Sequence, residues 1–312
     1  MNSERRRGTA FGFGAYLLWG IFPLYFRLLN RSGAFEILLH RVLWSLLFCL
    51  GLIAATRSWA ELGRVLRSRR QLLTLGAAAA AVALNWGVYI YAVNSRQVIE
   101  ASLGYFINPL VTVALGVVLL GERLRPLQWV AVGLGLLAVT VLTVDYGHLP
   151  YIAITLACSF GLYGLLKNRV GGQVGAVAGL TTETMVLAPL AVIAVGVLTV
   201  NGDSSFGADP PWQGLLLAST GLFTVAPLLL FASAARRVPL STMGLLQYLT
   251  PVLQLLCGVL LLNEQMAPSR WAGFSLVWVA LILLTADSLR QARRNYQVRV
   301  SSGKEPDLAA AT

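Results

Sequence analysis

The sequence predicts an all-α integral membrane protein with ten transmembrane helices, arranged as two five-helix inverted repeats with both termini cytoplasmic. Three observations carry this prediction: apolar stretches that match the thickness of a bilayer, a segment that occurs twice, and an uneven distribution of basic residues. Of the 312 residues, 57% are hydrophobic and 12% are charged. Soluble domains are about 25% charged, so the composition excludes an ordinary soluble protein.

Ten apolar stretches approach the roughly 20 residues that cross a bilayer core. The connections between them are too short to hold a soluble domain. The sixth stretch is the shortest, and it is the least secure of the ten assignments. We place the ten predicted spans at residues 8–29, 33–55, 72–93, 99–121, 126–145, 150–166, 173–199, 212–234, 239–262 and 268–288.

A segment of 45 residues occurs twice. Residues 101–145 align without gaps on residues 243–287, and fourteen positions are identical. Because each repeat holds five spans, the second copy must cross the membrane in the opposite sense, as recurs in secondary transporters with the substrate site between the halves. We therefore divide the chain into a first repeat (1–147), a second repeat (148–288) and a basic tail (289–312) that we expect to be disordered. The identical positions include Pro109 and Pro251, Glu122 and Glu264, and Trp129 and Trp271.

The net charge of +11 is an orientation signal. Nineteen Lys and Arg residues fall in the amino-terminal segment, in alternate loops and in the tail. By the positive-inside rule these segments, and with them both termini, are cytoplasmic. Since this distribution accounts for the basic surplus, we expect no nucleic-acid partner.

Two charged residues inside predicted spans are candidates for function, because an Arg or Asp at the centre of a helix costs about 2.5–3.5 kcal/mol on the insertion scale. Arg41 and Glu183 occupy equivalent positions under the offset of 142 residues. We hypothesise that they meet at mid-depth and exchange partners when substrate or a proton arrives. A permanent structural ion pair is an equal alternative.

His40 is a second candidate for proton coupling, beside Glu183, because histidine changes charge near neutral pH. The alternative, which is the more frequent one, is a hydrogen-bonded packing residue. Glu36 lies four residues earlier on the same helical face, which predicts a hydrogen bond between the two side chains. With no third ligand in the sequence pattern, we expect no metal site and no cofactor.

The fourth and ninth spans carry matching polar faces centred on Pro109 and Pro251. A proline inside a helix removes a hydrogen bond and kinks the helix, and the released carbonyl is tolerated beside protein or a cavity. We therefore expect the two kinks to line a central cavity; close helix packing through small residues is the alternative. The polar residues of these faces include Tyr105, Asn108, Gln247 and Tyr248.

The third and eighth spans add further candidates for the cavity wall. Asn85, Trp86 and Tyr89 share one face of the third span, and Thr224 with Pro227, a third predicted kink, lies on the eighth. Aromatic residues at span ends usually form interfacial belts. Trp86 lies too deep for a belt, so we interpret it as a stacking surface for substrate.

These residues resemble the EamA domain of the drug/metabolite transporter superfamily, and more closely its RarD-type subfamily. The resemblance covers about residues 8–288 and implies a permease of the cytoplasmic membrane that exports a small organic solute by alternating access. One departure is Asn263, where the superfamily often has Gly. The motifs that carry the resemblance are Trp19-Gly20-Ile-Phe-Pro23-Leu-Tyr25, Glu36 with His40-Arg41, Asn85-Trp86, Glu100-Ala-Ser-Leu-Gly-Tyr-Phe-Ile-Asn-Pro109, Ser159-Phe160, Glu183 and Gln247-Tyr248.

The predicted function is therefore a secondary transporter of a small organic metabolite or drug, and we expect no catalytic residues. A channel, sensor or scaffold is the alternative, followed by a membrane enzyme. The two histidines and the lack of a phosphate-binding loop argue against enzymatic chemistry and ATP-driven pumping. An anionic or zwitterionic solute and an uncharged aromatic one both stay open, as does a homodimer.

Overall fold

The computed structural model describes residues 3–120, 124–170, 173–207, 211–235, 237–238, 243 and 246–301, and these are helices joined by turns, without a strand. A π-helical segment, Cys257–Leu261, continues the helix Leu249–Leu256. The helices are α1 (Ser3–Gly20), α2 (Phe22–Leu28), α3 (Ala34–Thr56), α4 (Trp59–Arg67), α5 (Arg69–Asn94), α6 (Val98–Leu120), α7 (Pro126–Tyr146), α8 (Tyr151–Val170), α9 (Ala176–Asn201), α10 (Trp212–Ala235), α11 (Leu249–Leu256) and α12 (Pro268–Ser301).

Seven helices in the described part of the chain are long and apolar enough to cross a membrane, namely α3, α5, α6, α7, α9, α10 and α12. The pair α1 and α2 makes an eighth if it is one span. Residues 151–167 of α8 and residues 249–261 are apolar but shorter. The predicted all-helical membrane fold is confirmed, and every predicted stretch overlaps one of these helices. The count of ten spans stays a prediction.

The first predicted span is broken rather than continuous. α1 and α2 meet at Ile21 with a bend of 42°. Pro23 lies in the first turn of α2, where its missing N–H interrupts the helical hydrogen bonding. Gly20 allows close packing at this point, because a Cβ there would lie 2.6 Å from Cδ1 of Leu253. The break therefore brings α1 against α11.

α4 is a short amphipathic helix that we did not predict. Leu62 and Val65 are buried, whereas Trp59, Arg64 and Arg67 are exposed. The apolar residues are three apart on one face, and that spacing was the available signal. α4 packs on α5 and α9, so the loop between the second and third predicted spans is ordered against the bundle.

Packing between the two halves follows matching pairs. α3 packs on α9, α6 on α11 and α7 on α12, and each pair joins equivalent helices of the two predicted repeats. The packing of α5 and α6 on α8 corresponds to that of α10 and α11 on α1. Exchanging the halves therefore reproduces these contacts.

α3 and α9 run antiparallel. Leu39 and Val42 near the start of α3 pack with Ala191 in the second half of α9. Further along α3, Cys49 packs with Leu180 near the start of α9. As residue numbers rise along one helix, the numbers of its neighbours fall along the other.

Two predicted features of the second half differ from the structure. α11 begins at Leu249, so Pro251 occupies the first turn of a new helix instead of kinking a continuous one. A proline is well tolerated there, since the first N–H groups of a helix have no partner within it. α12 continues to Ser301, so residues 289–301 of the predicted disordered tail are helical. Those residues contain neither Pro nor Gly to end the helix.

Candidate functional site

Arg41 is buried between α2, α3, α5 and α10, with 4% of the residue exposed. Its Nε donates a hydrogen bond of 2.9 Å to Oγ1 of Thr224. The guanidinium carbon lies 4.2 Å from the ring centroid of Trp86, and 5.7 and 5.4 Å from those of Phe22 and Phe26. Such contacts offset part of the cost of burying a cation. Among the described residues, no carboxylate forms an ion pair with Arg41.

A hydrogen-bonded network joins α5, α6 and α8 beside Arg41. Nδ2 of Asn85 donates to the carbonyl oxygen of Leu156 at 3.0 Å and to Oγ of Ser159 at 3.1 Å. The hydroxyl of Tyr105 donates to Oδ1 of Asn85 at 3.1 Å. The ring of Tyr89 lies 5.8 Å from that of Tyr105. The network fixes the orientation of Tyr105, and the ring of Tyr89 packs against it.

The polar side of this arrangement faces Arg41. The residues Tyr25, Tyr89 and Tyr105 lie near the guanidinium. Tyr25 is held in place by a hydrogen bond to the carbonyl oxygen of Leu216. We call Arg41 and its neighbours the Arg41 cluster: Arg41, Phe22, Tyr25, Phe26, Asn85, Trp86, Tyr89, Tyr105 and Thr224.

Glu183 is paired with Lys167 in this structure, not with Arg41. Nζ of Lys167 lies 2.7 Å from Oε1 of Glu183, and the hydroxyl of Tyr163 donates to Oε2 at 3.3 Å. Glu183 is 1% exposed, and the Lys167 side chain is 29% exposed. We call Glu183 and Lys167 the Glu183 pair. The meeting of Arg41 and Glu183 that we expected is therefore not formed here.

Depth explains this difference. Arg41 lies seven residues after Ala34, where α3 begins, and Glu183 lies seven residues after Ala176, where α9 begins. At a rise of about 1.5 Å per residue, each residue lies about 10 Å from the start of its helix. Because α3 and α9 are antiparallel, the two starts lie at opposite ends of the bundle. An inverted repeat brings equivalent residues together only at mid-depth, and these two lie on either side of it.

Glu36 and His40 also have other neighbours than we predicted. The Glu36 carboxylate accepts hydrogen bonds from Oγ of Ser204 and from N and Oγ of Ser205, at 2.7 to 3.0 Å. His40 stacks on Phe206 with a centroid distance of 4.8 Å, and neither ring nitrogen has a hydrogen-bond partner in the described part of the chain. The carboxylate thus holds the turn after α9 over the start of α3, and the predicted hydrogen bond between Glu36 and His40 is not formed.

The polar residues around the two matched prolines are divided between different surroundings. Asn108 accepts a hydrogen bond from Thr112 one turn later in α6. Gln247 is exposed, in the turn before α11. Tyr248 packs with the large apolar cluster of α6, α7 and α12. Of the predicted residues, those on α3, α5 and α10 gather with Tyr105, whereas these three do not join the Arg41 cluster.

Sequence reasoning missed Lys167 and the rings of Phe22, Tyr25 and Phe26. Lys167 was counted among the basic residues of a loop, because it lies close to the end of its span. The tyrosines offered a signal, since Tyr25 aligns with Tyr163 at an offset of 138 residues. Tyr163 donates a hydrogen bond to Glu183, and Tyr25 lies near Arg41, so each tyrosine lies beside a buried charged residue of its own repeat.

A helical membrane bundle with paired and unpaired charges buried between its halves is the architecture of a solute transporter. The model of the EamA-like transporter family matches the chain twice, at residues 6–144 and 150–286. The chain belongs to this family and is a multi-pass membrane transporter. Its surroundings include the lipid bilayer, and its ligand is a small molecule.

Relatives extend over nearly the whole chain. Protein RarD of Streptomyces exfoliatus is 52% identical over 293 residues, covering 94% of this chain and 92% of the relative. Protein RarD of Escherichia coli (strain K12) is 40% identical over 291 residues, covering 93% and 98%. The uncharacterized transporter YojE of Bacillus subtilis (strain 168) is 40% identical over 296 residues, covering 94% and 98%. The chain is therefore of the RarD type.

A solved crystal structure shares the fold. It is 20% identical to this chain, has a TM-score of 0.57, and covers 89% of this chain and 97% of the other. At that level of identity the similarity concerns the fold alone.

Proposed function

We propose that the protein is a secondary transporter of the cytoplasmic membrane that exports a small organic solute by alternating access. Residues 1–147 and 148–288 form two inverted repeats of five spans each, and both termini lie in the cytoplasm. The solute binds between the repeats, and rocking of one repeat against the other exposes it to each side in turn. The preference for export rests on the family.

The packing of the two halves is the observation that carries this proposal. Equivalent helices pack against each other in three pairs, and the contacts of α8 with α5 and α6 match those of α1 with α10 and α11. Such symmetry gives a transporter two related arrangements. The position that the first repeat has in one arrangement is the position that the second repeat has in the other. The two arrangements then differ little in free energy, so binding of a solute can shift the equilibrium between them.

The Arg41 cluster is the proposed binding site. Arg41, Asn85, Trp86, Tyr89, Tyr105 and Thr224 come from both repeats and gather between them, as a solute site at the interface requires. Asn108, Gln247 and Tyr248, from the matched spans, are proposed to join it in the opposite arrangement. Pro109 and Pro227 lie inside α6 and α10 and supply the bends along which these helices move.

Glu183 is the proposed residue for energy coupling, with His40 as the second candidate. The ion pair with Lys167 joins the first third of α9 to the end of α8. When a proton binds the carboxylate, the attraction to Lys167 is lost and the two helices are free to separate. A buried carboxylate whose partner is a single amine is suited to such a switch.

Mass spectrometry of the medium around expressing cells tests the proposal. Cells with wild type, Arg41→Ala, Arg270→Ala and an empty vector are compared at equal amounts of protein in the membrane. Arg270 is the matched control, because it is half-buried but paired with Asp145 at 2.9 Å. We expect a metabolite that accumulates outside with wild type and with Arg270→Ala, and that is absent with Arg41→Ala and the empty vector.

Two outcomes contradict the proposal. Identical media from all four strains, together with no uptake of labelled solutes, exclude transport. Flux that rises without saturation and shows no counterflow identifies a channel instead.

A further inference from the structure

In the part of the chain that the structure describes, each buried carboxylate has hydrogen-bond donors or a cation beside it. Among the described residues, the buried carboxylates belong to Glu36, Glu100, Glu183 and Asp287. Glu36 binds two serines. Glu100 accepts a backbone N–H, and the other two form ion pairs with basic side chains. Arg41, in contrast, is a buried cation with no anion beside it among the described residues.

The guanidinium of Arg41 has unused hydrogen-bonding capacity. It carries five N–H donors, and the described structure supplies one acceptor, Oγ1 of Thr224. The aromatic rings of Trp86 and Phe26 compensate the charge partly, but they accept no strong hydrogen bond. A planar fork of donors matches the two oxygens of a carboxylate.

A second unpartnered donor lies beside it. The hydroxyl of Tyr89 is buried and has no hydrogen-bond partner among the described residues, and 3% of the residue is exposed. Both Arg41 and Tyr89 contact Phe26, at 5.4 Å and 6.0 Å from its ring centroid. A buried hydroxyl without a partner is costly, so an anion that reached both groups would satisfy two needs at once.

We propose that the solute is an organic monocarboxylate, whose carboxylate binds between Arg41 and the Tyr89 hydroxyl while its apolar part contacts Trp86 and Phe26. This inference rests on the proposed function. It excludes cations, which Arg41 repels. It also excludes zwitterions whose cationic group would need a carboxylate of the protein beside Arg41. The carboxylate of Glu183 does not serve, because it lies at another depth and is neutralised by Lys167.

The test compares three ligands of one shape that differ in charge: phenylacetate, phenylacetamide and 2-phenylethylamine. Binding of each to the full-length protein in lipid nanodiscs is measured by isothermal titration calorimetry. One charge-assisted hydrogen bond changes Kd by about 10- to 100-fold. We expect phenylacetate to bind that much more tightly than the amide, and the amine to bind most weakly.

Variants assign the preference to the named residues. Arg41→Gln should remove the difference between acid and amide, and Arg41→Lys, which keeps the charge without the fork, should retain part of it. Tyr89→Phe keeps the ring and should raise the Kd of phenylacetate by about 3- to 10-fold. Arg270→Gln is the control and should bind as wild type does. Each variant is first checked for a single symmetrical peak in size-exclusion chromatography.

The two proposals fail separately. Equal affinity for all three ligands, or a preference that survives Arg41→Gln, overturns the carboxylate site. Export of neutral or cationic metabolites that depends on the wild-type protein also overturns the carboxylate site, but it supports the proposed transport. If no solute is transported but the carboxylate preference is found, the site stands and the proposed function falls.

Discussion

The Arg41 cluster and the Glu183 pair occupy equivalent positions in the two repeats, yet they treat a buried charge in opposite ways. Glu183 has its counter-ion at 2.7 Å. Arg41 has aromatic rings and a single threonine hydroxyl. Within the described residues, the charge of Glu183 has a counter-ion and the charge of Arg41 has none, although the repeat relates α9 to α3.

This difference separates stability from function. A matched buried pair holds two helices together, and breaking it leaves an uncompensated charge. An unmatched charge contributes little to stability, and a site that keeps one is disposed to bind a ligand of opposite charge. Functional sites commonly sacrifice stability in this way. The comparison therefore predicts different consequences for the same kind of substitution in the two places.

The largest effect is expected for Lys167→Met. This change leaves Glu183 buried without a cation and should lower the free energy of unfolding by about 3 kcal/mol, at the lower end of the range for buried pairs because Lys167 is partly exposed. The measurement is unfolding in mixed detergent micelles. The double variant Lys167→Met with Glu183→Gln should recover most of the loss, because it removes both charges.

A loss below about 0.5 kcal/mol for Lys167→Met, a size typical of exposed ion pairs, would contradict this view of the pair. So would a double variant that is less stable than the single one. Either result would place water or another cation beside Glu183.

Glu264 offers an intermediate case, because its partners are backbone groups. Its two carboxylate oxygens accept hydrogen bonds from the N–H groups of Val98 and Ile99 at the start of α6, at 2.8 and 2.9 Å. Glu264→Gln keeps one acceptor oxygen but turns an amide NH2 group toward the other backbone N–H, which loses its acceptor, so we expect a loss of about 1–2 kcal/mol. The same unfolding measurement checks this value, and Glu264→Ala should lose more.

The pH dependence of Glu264 has a definite sign. Burial raises the pKa of this carboxyl group above its ordinary value of 4.5, although the two backbone N–H groups act to lower it. The folded protein therefore binds a proton at a higher pH than the unfolded chain, and wild type should gain stability relative to Glu264→Gln as pH falls through that window toward 4.5. A stability difference that is independent of pH would show that the group titrates alike in both states.

Much of the fold could be predicted from apolar length and from the repeat, since both depend on many residues at once. The features that the sequence hid depend on few residues. The bend at Ile21 needs Pro23 together with the close approach of Gly20 to Leu253. α11 begins at Leu249 because a turn precedes it. The hydrophobic periodicity of the sequence does not predict that turn.

The candidate site could be predicted in its parts but not in its pairing. Arg41 and Glu183 stand out because charges in spans are costly, and Trp86 stands out by its depth. Lys167, the partner of Glu183, does not stand out in the sequence, because it lies near a helix end and its long side chain reaches back into the bundle. Which charges meet depends on depth in three dimensions, and the alignment of the repeats gives equivalence without depth.

The smallest effect on stability is expected for Arg41→Met, and it is the sharpest test of the comparison. The variant loses the cation–π contacts, worth about 2 kcal/mol when desolvated, and the hydrogen bond to Thr224, worth about 1 kcal/mol. It also removes an unpaired charge that costs about 2.5–3.5 kcal/mol. The free energy of unfolding should therefore change by less than about 1 kcal/mol, while transport is lost. If Arg41→Met were as destabilising as Lys167→Met, the guanidinium would be part of the packing, and the two ends of the bundle would treat charge alike. If it is neutral to stability and fatal to transport, the unmatched charge is kept for the solute.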